Sequence, residues 1–134
     1  MISLRTRPTL RIVLASVFIT SGILHFVRPE FFSQIMPPYL PWHLELVYIS
    51  GFFEILGGIG LLVPALRRTA CWGLITLLIA VFPANVQMTL NWCENYGWCV
   101  LTFLSIARLP LQPLLIFWVW LSCKEPSAPL DASR

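Results

Sequence analysis

Residues 45–64 (ELVYISGFFEILGGIGLLVP) constrain this chain more than any other segment, because they are long enough to cross a bilayer yet carry a carboxylate near the middle. On insertion scales, an acidic residue at the centre of a membrane helix costs about 2.5 to 3.5 kcal/mol. Each Leu, Ile, Phe or Val favours insertion by about 0.3 to 0.6 kcal/mol. The apolar residues therefore outweigh the carboxylate of Glu54 by a narrow margin, and we predict a membrane helix that must accommodate an acidic group.

The helical periodicity of this segment predicts which face is buried. At about 3.6 residues per turn, one stripe contains Val47, Gly51, Glu54, Gly58 and Leu61. Glycines let a neighbouring helix approach closely, so we predict that this stripe faces the interior of a bundle. Ionisable residues within a membrane usually pair with another group, which makes Glu54 a candidate functional residue that requires a partner.

Composition extends this interpretation to the whole chain. Of 134 residues, 57% are hydrophobic and 11% charged, against about 25% charged in ordinary soluble domains. The net charge of +3 is too small to indicate nucleic-acid binding. We predict an all-α, single-domain transmembrane four-helix bundle over residues 1–123, with spans at about 9–27, 45–63, 70–90 and 100–121.

A proline-rich segment separates the first two spans. Residues 28–44 contain four prolines, too many for a helix interior, with aromatic residues between them. Amphipathic aromatic rings favour the headgroup level of a membrane. We therefore predict an interfacial loop, with a short interfacial piece around residues 30–36.

The other spans also carry polar residues. In the third span Asn85 is the better candidate for the interior, whereas Gln87 is placed to contact Asn91. The candidate ligand-binding or polar cluster is His25, Glu54, Asn85, Arg108 and Gln112. Glu54 and Arg108 lie about 13 and 12 Å below the starts of their helices, so we predict that they are in contact. Two interpretations stay open: a site for a ligand or substrate, and a structural network that fixes helix register.

The cysteines and histidines predict little catalytic chemistry. Residues 91–99 are predicted to form a short polar loop. Cys93 and Cys99 lie in or beside this loop and are a candidate disulfide, whereas Cys71 and Cys123 lie near the opposite face. No His or Cys spacing resembles a metal site, so no metal is predicted. The sequence also has no nucleophile triad, phosphate loop or nucleotide fingerprint.

The positive charges predict the orientation. With a cytoplasmic N-terminus, the residues on the inside are Arg5, Arg7, Arg11, Arg67, Arg68, Lys124 and Arg134, and only Arg28 lies in an outer loop. This asymmetry predicts that both termini are cytoplasmic. Residues 124–134, rich in proline, serine and charge, are predicted to form a disordered cytoplasmic tail.

Several of these motifs together resemble the DoxX family of small bacterial membrane proteins. They are SGILHF at 21–26 with Arg28-Pro29, the proline-rich 36–41, Ser50-Gly51 through Glu54 to Gly57, VFPANVQM at 81–88 and RLPLQP at 108–113. The resemblance covers nearly the whole chain. It implies a four-helix bundle in the bacterial inner membrane, in a family named for subunits associated with quinone-linked sulfur oxidation.

On this resemblance we expect a redox-associated accessory protein or subunit of the respiratory membrane that binds a quinone or similar lipid in an outer-half polar pocket. The residues themselves establish no cofactor, and a quinone is the candidate. The expected partners are the lipid bilayer, other membrane redox subunits and a second copy of the chain, with no nucleic acid. One alternative is a non-enzymatic interaction protein whose polar cluster is structural. Another is a small membrane enzyme or carrier for an apolar molecule, with Glu54 as proton acceptor.

Overall fold

The computed structural model describes residues 6–124 and contains five helices in this part of the chain. They are α1 (Thr6–Val27), α2 (Pro29–Gln34), α3 (His43–Leu62), α4 (Arg67–Tyr96) and α5 (Val100–Cys123). The four longer helices are each long and apolar enough to cross a membrane. The chain is therefore an all-α, four-helix transmembrane bundle, with the short α2 between the first two spans. Residues 125–134, most of the predicted tail, lie outside the described part.

The third span is longer than predicted, because α4 continues through residues that the sequence analysis assigned to a loop. The prediction of a loop over 91–99 is wrong for residues 91–96. Asn91 accepts a hydrogen bond from Gln87 one turn earlier, and Asn95 donates to the Asn91 carbonyl, so the polar side chains support helical structure here. The helix ends where Gly97 adopts a positive φ of 59°. At 30 residues, α4 is about 45 Å long and exceeds the roughly 30 Å hydrocarbon core.

Helices α1 and α3 pack closely through glycine. A Cβ on Gly22 would lie 2.6 Å from the carbonyl oxygen of Gly51, and one on Gly58 would lie 3.0 Å from that of Ala15. The predicted interior stripe of α3 is confirmed, since all five of its members are buried. Helix α4 packs against α3 on one side and α5 on the other.

The bundle has two ends that differ in chemistry. We call the end that holds the start of α1 and the close of α5 the terminal end, and the opposite end the α2 end. The core of the terminal half is apolar and centres on Leu14, Leu61, Leu74 and Val119. At the terminal end, Arg11 donates hydrogen bonds to the carbonyls of Ser122 and Lys124. This contact fixes the first helix against the last.

The cysteines pair differently from the prediction. Cys71, at the start of α4, forms a disulfide with Cys123, at the end of α5, with 5.9 Å between their Cα atoms. Cys93 and Cys99, the predicted candidates, are free thiols. The reason is the longer α4, which holds Cys93 on a helix, while Cys99 precedes α5 and contacts Thr102. Antiparallel α4 and α5 instead bring Cys71 and Cys123 to the same depth.

Candidate functional site

A cavity among the described residues lies in the half of the bundle near the α2 end. Its volume is about 450 Å³. Helices α3 and α4 form its long walls, and α2 with the proline-rich segment after it folds over one side. The polar and charged side chains that line it are His25, Ser50, Glu54, Asn85 and Arg108, and the remaining lining is almost entirely apolar or aromatic. The cavity therefore has one polar wall and one apolar wall.

Glu54 is the acidic group of this cavity. It is buried, with 8% of its surface exposed, because it lies on the glycine-containing stripe of α3 that faces α1. Its Oε2 atom has no hydrogen-bond partner among residues 6–124. The nearest basic group is His25, whose Nδ1 lies 3.9 Å from Oε2. Glu54 therefore presents a buried oxygen whose hydrogen-bonding capacity is unused.

His25 is held in place by its own helix and by α2. Its Nδ1 lies 2.8 Å from the carbonyl oxygen of Ser21, which can only accept, so the imidazole donates from Nδ1. The Phe32 ring stacks on the imidazole, with 3.9 Å between ring centroids. Because Nδ1–H is directed to Ser21, it does not satisfy the Glu54 carboxylate. The ring position is fixed, but Oε2 of Glu54 remains without a donor among residues 6–124.

Arg108 lines the same cavity as Glu54 but does not form the predicted ion pair with it. Within the described chain, the Glu54 carboxylate has its ion-pair contact with His25 and not with Arg108. The buried positions on α5 are Thr102, Ser105, Gln112, Val119 and Ser122. At 100° per residue, Arg108 lies within this stripe, about 40° from its centre, yet its side chain is exposed and lines the cavity. The contact prediction was wrong because a shared depth and a shared helical face do not fix the distance between side chains on α3 and α5.

Asn85 and Gln112 form a hydrogen-bonded link between α4 and α5. Asn85 donates to the Gln112 side-chain oxygen, and Gln112 donates to the Leu78 carbonyl. Both side chains are buried. The preference for Asn85 over Gln87 is confirmed, because Gln87 bonds to Asn91 away from the interior. Asn85 reaches the cavity wall, whereas Gln112 lies behind it and holds Asn85 in position.

Four of the five predicted site residues therefore line one cavity, and the fifth supports it. The sequence analysis missed the contribution of α2 and the segment after it, where Phe32, Ile35, Met36 and Tyr39 line the cavity. Their aromatic and proline-rich composition was interpreted as an interfacial loop. That composition could not show that the segment also folds back over the bundle.

A groove continues the cavity along the outside of α3 and α4. Ile49, Leu77 and Ala80 line both the cavity and this groove, which runs past Trp72 to Arg68 near the terminal end. The distance along α4 from Ala80 to Arg68 is about 18 Å at 1.5 Å per residue. A molecule with its polar part in the cavity can therefore lay an extended apolar chain along the groove.

The free thiol at the start of α5 has a distinct environment. Cys99 is the residue before α5, and its Sγ lies 3.5 Å from the Thr102 hydroxyl. This hydrogen bond lowers the pKa of the Cys99 thiol from its ordinary value. No cluster of His, Cys, Asp and Glu that could hold a metal ion is present in the part of the chain that the structure describes.

Comparison with known protein families gives one match. The family described as "Domain of unknown function (DUF8561)" matches residues 14–123, which include all of α2 to α5 and most of α1. The chain belongs to the DUF8561 family. No curated protein matches it, and no solved structure matches it. The matched range contains all residues that line the cavity and also Gln112. The candidate site therefore lies within the part of the chain that the family model matches.

Proposed function

We propose that this DUF8561 protein binds a quinone or a similar lipid, as a redox-associated accessory protein or subunit of the respiratory membrane. The observation that carries the proposal is the cavity itself, whose polar wall holds Glu54, His25 and Arg108 and which continues into an apolar groove. Such a shape fits a molecule with a compact polar head and a long apolar tail. The resemblance to the DoxX family supplies the expectation of redox association.

The position of the cavity supports a ligand that comes from the membrane. Its walls are membrane-spanning helices, and the groove that extends it lies on the outward faces of α3 and α4. Lipid chains contact such faces, so a lipid-soluble molecule can reach the site without crossing water. A purely structural cluster would need no space between its polar groups. The open cavity therefore favours the ligand interpretation over the non-enzymatic interaction protein.

Glu54 as a proton acceptor in a small enzyme or carrier is a second candidate function. The observation that favours it is the buried carboxylate of Glu54, a residue of the cavity lining whose Oε2 atom has no hydrogen-bond partner among the described residues. Both functions use the same cavity and differ in whether the bound molecule is changed.

Identification of the small molecules that copurify with the protein tests the proposal. Protein purified from its native membrane should release a quinone or similar lipid on organic extraction, detected by mass spectrometry in amounts that rise with the amount of protein. An Ala80→Trp variant should release much less, because Ala80 lines both cavity and groove and the indole would fill the junction. The matched control is Ile79→Trp, the preceding position on α4, which is 60% exposed and lines neither. Equal yields from the two variants would contradict binding at this site.

We also propose that the protein lies in the bacterial inner membrane with both termini in the cytoplasm and the α2 end in the periplasm. The arginines at the terminal end support this orientation. The Cys71–Cys123 disulfide at the same end opposes it, because disulfides persist in oxidising compartments. The two observations make opposite predictions for Cys99 at the α2 end.

We expect a membrane-impermeant maleimide to label Cys99 in intact cells, as the periplasmic placement requires. Because the pKa of Cys99 is lowered, a larger fraction of this thiol is ionised near neutral pH than in an ordinary cysteine. Labelling at that pH should therefore be faster than at a thiol without this shift. In a Cys93→Ser background, which removes the other free thiol at this end, Thr102→Val removes the hydroxyl and should slow the reaction, and Cys99→Ser should abolish it. Labelling of Cys99 only after the cells are permeabilised would reverse the orientation.

A further inference from the structure

The groove that continues the cavity has a basic residue at its far end. Apart from Arg68 and two threonines, its lining is apolar or aromatic, and Arg68 lies in the first turn of α4. Residues 63–66, which connect α3 to α4, join two membrane-spanning helices and therefore lie outside the hydrocarbon. Arg68 follows them closely, so it lies near the level of the lipid headgroups. The groove therefore leads from a cation at the membrane surface into the apolar interior.

The two consecutive arginines at the start of α4 point to different surroundings. Arg67 is buried and donates a hydrogen bond to the carbonyl of Leu61, near the end of α3. Arg68 is exposed, and its guanidinium forms no hydrogen bond or ion pair within residues 6–124. One arginine therefore binds within the bundle, whereas the other presents its charge to the groove and the membrane surface.

The charged residues of the terminal end are all basic in the part of the chain that the structure describes. They are Arg7, Arg11, Arg67, Arg68 and Lys124. The acidic residues of this part lie at the α2 end or in the middle of α3, and are Glu30, Glu45, Glu54 and Glu94. Basic pockets between membrane helices attract anionic lipid headgroups. A group that complements the terminal end of the groove is therefore an anion.

The length of the groove corresponds to a lipid chain of one leaflet. From Arg68 to Ala80 the groove follows α4 for about 18 Å, at 1.5 Å per residue. One leaflet contributes about 15 Å of hydrocarbon, half of the roughly 30 Å core of a bilayer. A chain whose headgroup lies at Arg68 therefore fills the groove as far as its junction with the cavity.

A second groove lies beside the first, between α3 and α4. The two grooves have Phe53, Thr69 and Gly73 in common, and their volumes are about 780 and 310 Å³. Both volumes lie within the range of about 300 to 1,000 Å³ that is usual for ligand pockets. Gly73 adds no side chain between them, and a Cβ there would meet no atom within 4 Å. Two adjacent apolar grooves with a cation at one end correspond to the two chains and one headgroup of a phospholipid.

We propose that the two grooves bind an anionic phospholipid from the leaflet at the terminal end, with its phosphate on Arg68 and one acyl chain in each groove. A guanidinium presents paired N–H groups that can bind two phosphate oxygens. A zwitterionic headgroup carries an ammonium group beside the same phosphate, and the basic residues of the terminal end repel this ammonium group. The site therefore selects an anionic lipid over a zwitterionic one.

This inference goes beyond the proposed function and does not depend on it. The headgroup lies about 18 Å along α4 from the cavity, so the two sites hold different polar groups. The acyl chain and the tail of a cavity ligand share the stretch of groove next to Ala80 and compete there. Binding of the phospholipid is therefore measured on protein from which other lipids have been removed.

Binding of defined lipids to the full-length protein in detergent tests the site. The probes are phosphatidylglycerol and phosphatidylcholine with identical acyl chains, and native mass spectrometry measures the fraction of protein that carries each. One basic residue near a membrane surface corresponds to about a fivefold gain in affinity for an anionic lipid. Phosphatidylglycerol should therefore bind at least about fivefold more tightly than phosphatidylcholine.

Variants of Arg68 test whether this residue holds the phosphate. Arg68→Gln should remove most of the preference, and Arg68→Lys, which keeps the charge, should retain most of it. Arg28→Gln is the matched control, because it removes an exposed arginine at the α2 end that lines neither groove. Equal affinities for the two lipids in the unmodified protein would overturn the proposal. So would a preference that survives Arg68→Gln, or one that Arg28→Gln reduces as much.

Gly73→Leu tests whether the acyl chains lie in the two grooves. The new side chain should reduce the binding of both lipids severalfold, because Gly73 lines both grooves, and it has room without disturbing the bundle. Unchanged binding would overturn the placement of the chains. The same spectra report the oligomeric state, and a dimer that forms only when lipid is absent would assign the grooves to a second copy of the chain. None of these measurements uses a quinone, so their failure is distinct from failure of the proposed function.

Discussion

A Gly22→Leu substitution should destabilise the bundle by about 3 kcal/mol or more, at or above the upper end of the usual cost of overpacking. A Cβ at this position would lie 2.6 Å from the Gly51 carbonyl oxygen and equally close to the Ile55 side chain. A backbone oxygen cannot rotate away, so α1 and α3 must separate along their whole contact. The measurement is the unfolding midpoint of purified protein in a fixed detergent or lipid mixture.

The chain contains a matched control for this change. Gly73, in the interior of α4, has no atom within 4 Å of the position that a Cβ would take. Gly73→Leu should leave the midpoint unchanged or raise it, because Leu has a higher helix propensity than Gly by up to about 1 kcal/mol. Similar losses in the two variants would show that bulk at any glycine, and not the α1–α3 contact, limits stability.

The second large effect is expected from Arg108→Leu, which removes the cation that balances Glu54. A stranded buried charge typically costs about 3 to 5 kcal/mol. We expect about 3 kcal/mol, at the lower end of that range, because Arg108 is exposed at the cavity mouth and forms no direct ion pair with Glu54. The double variant Arg108→Leu with Glu54→Gln should recover much of the loss, since no uncompensated charge remains.

A double-mutant cycle makes this expectation quantitative. The coupling energy between the two sites should be at least about 1 kcal/mol, with the unfolding midpoints of all four proteins measured under one condition. Additive losses would mean that Glu54 and Arg108 do not sense each other's charge.

Periodicity predicted the parts of the site that depend on a single helix. The α3 stripe identified Glu54 as an interior carboxylate, and the position of Asn85 on its helix identified it, and not Gln87, as the inward-facing residue. Both results follow from helical pitch, which residue spacing fixes. They needed no knowledge of how the helices pack against one another.

The features that the sequence could not predict depend on relations between helices. Arg108 lines the same cavity as Glu54, but whether the two side chains meet depends on how α3 and α5 are placed relative to each other. Cys71 pairs with Cys123 because α4 and α5 are antiparallel neighbours, a relation that local cysteine spacing does not contain. The position of Phe32 against His25 likewise depends on how α2 folds back over α1. Packing geometry is set by all contacting surfaces together, so a single segment does not encode it.

The hydrogen bonds from Arg11 to the close of α5 have a consequence for biosynthesis. The Ser122 carbonyl that Arg11 binds is 111 residues later in the chain, so it leaves the ribosome after every other span has been made. Until then the two hydrogen bonds from Arg11 to the end of α5 cannot form. The contact between the first and the last helix therefore forms only after α5 has been made. A polypeptide interrupted before α5 would lack the hydrogen bonds that join the first helix to the last.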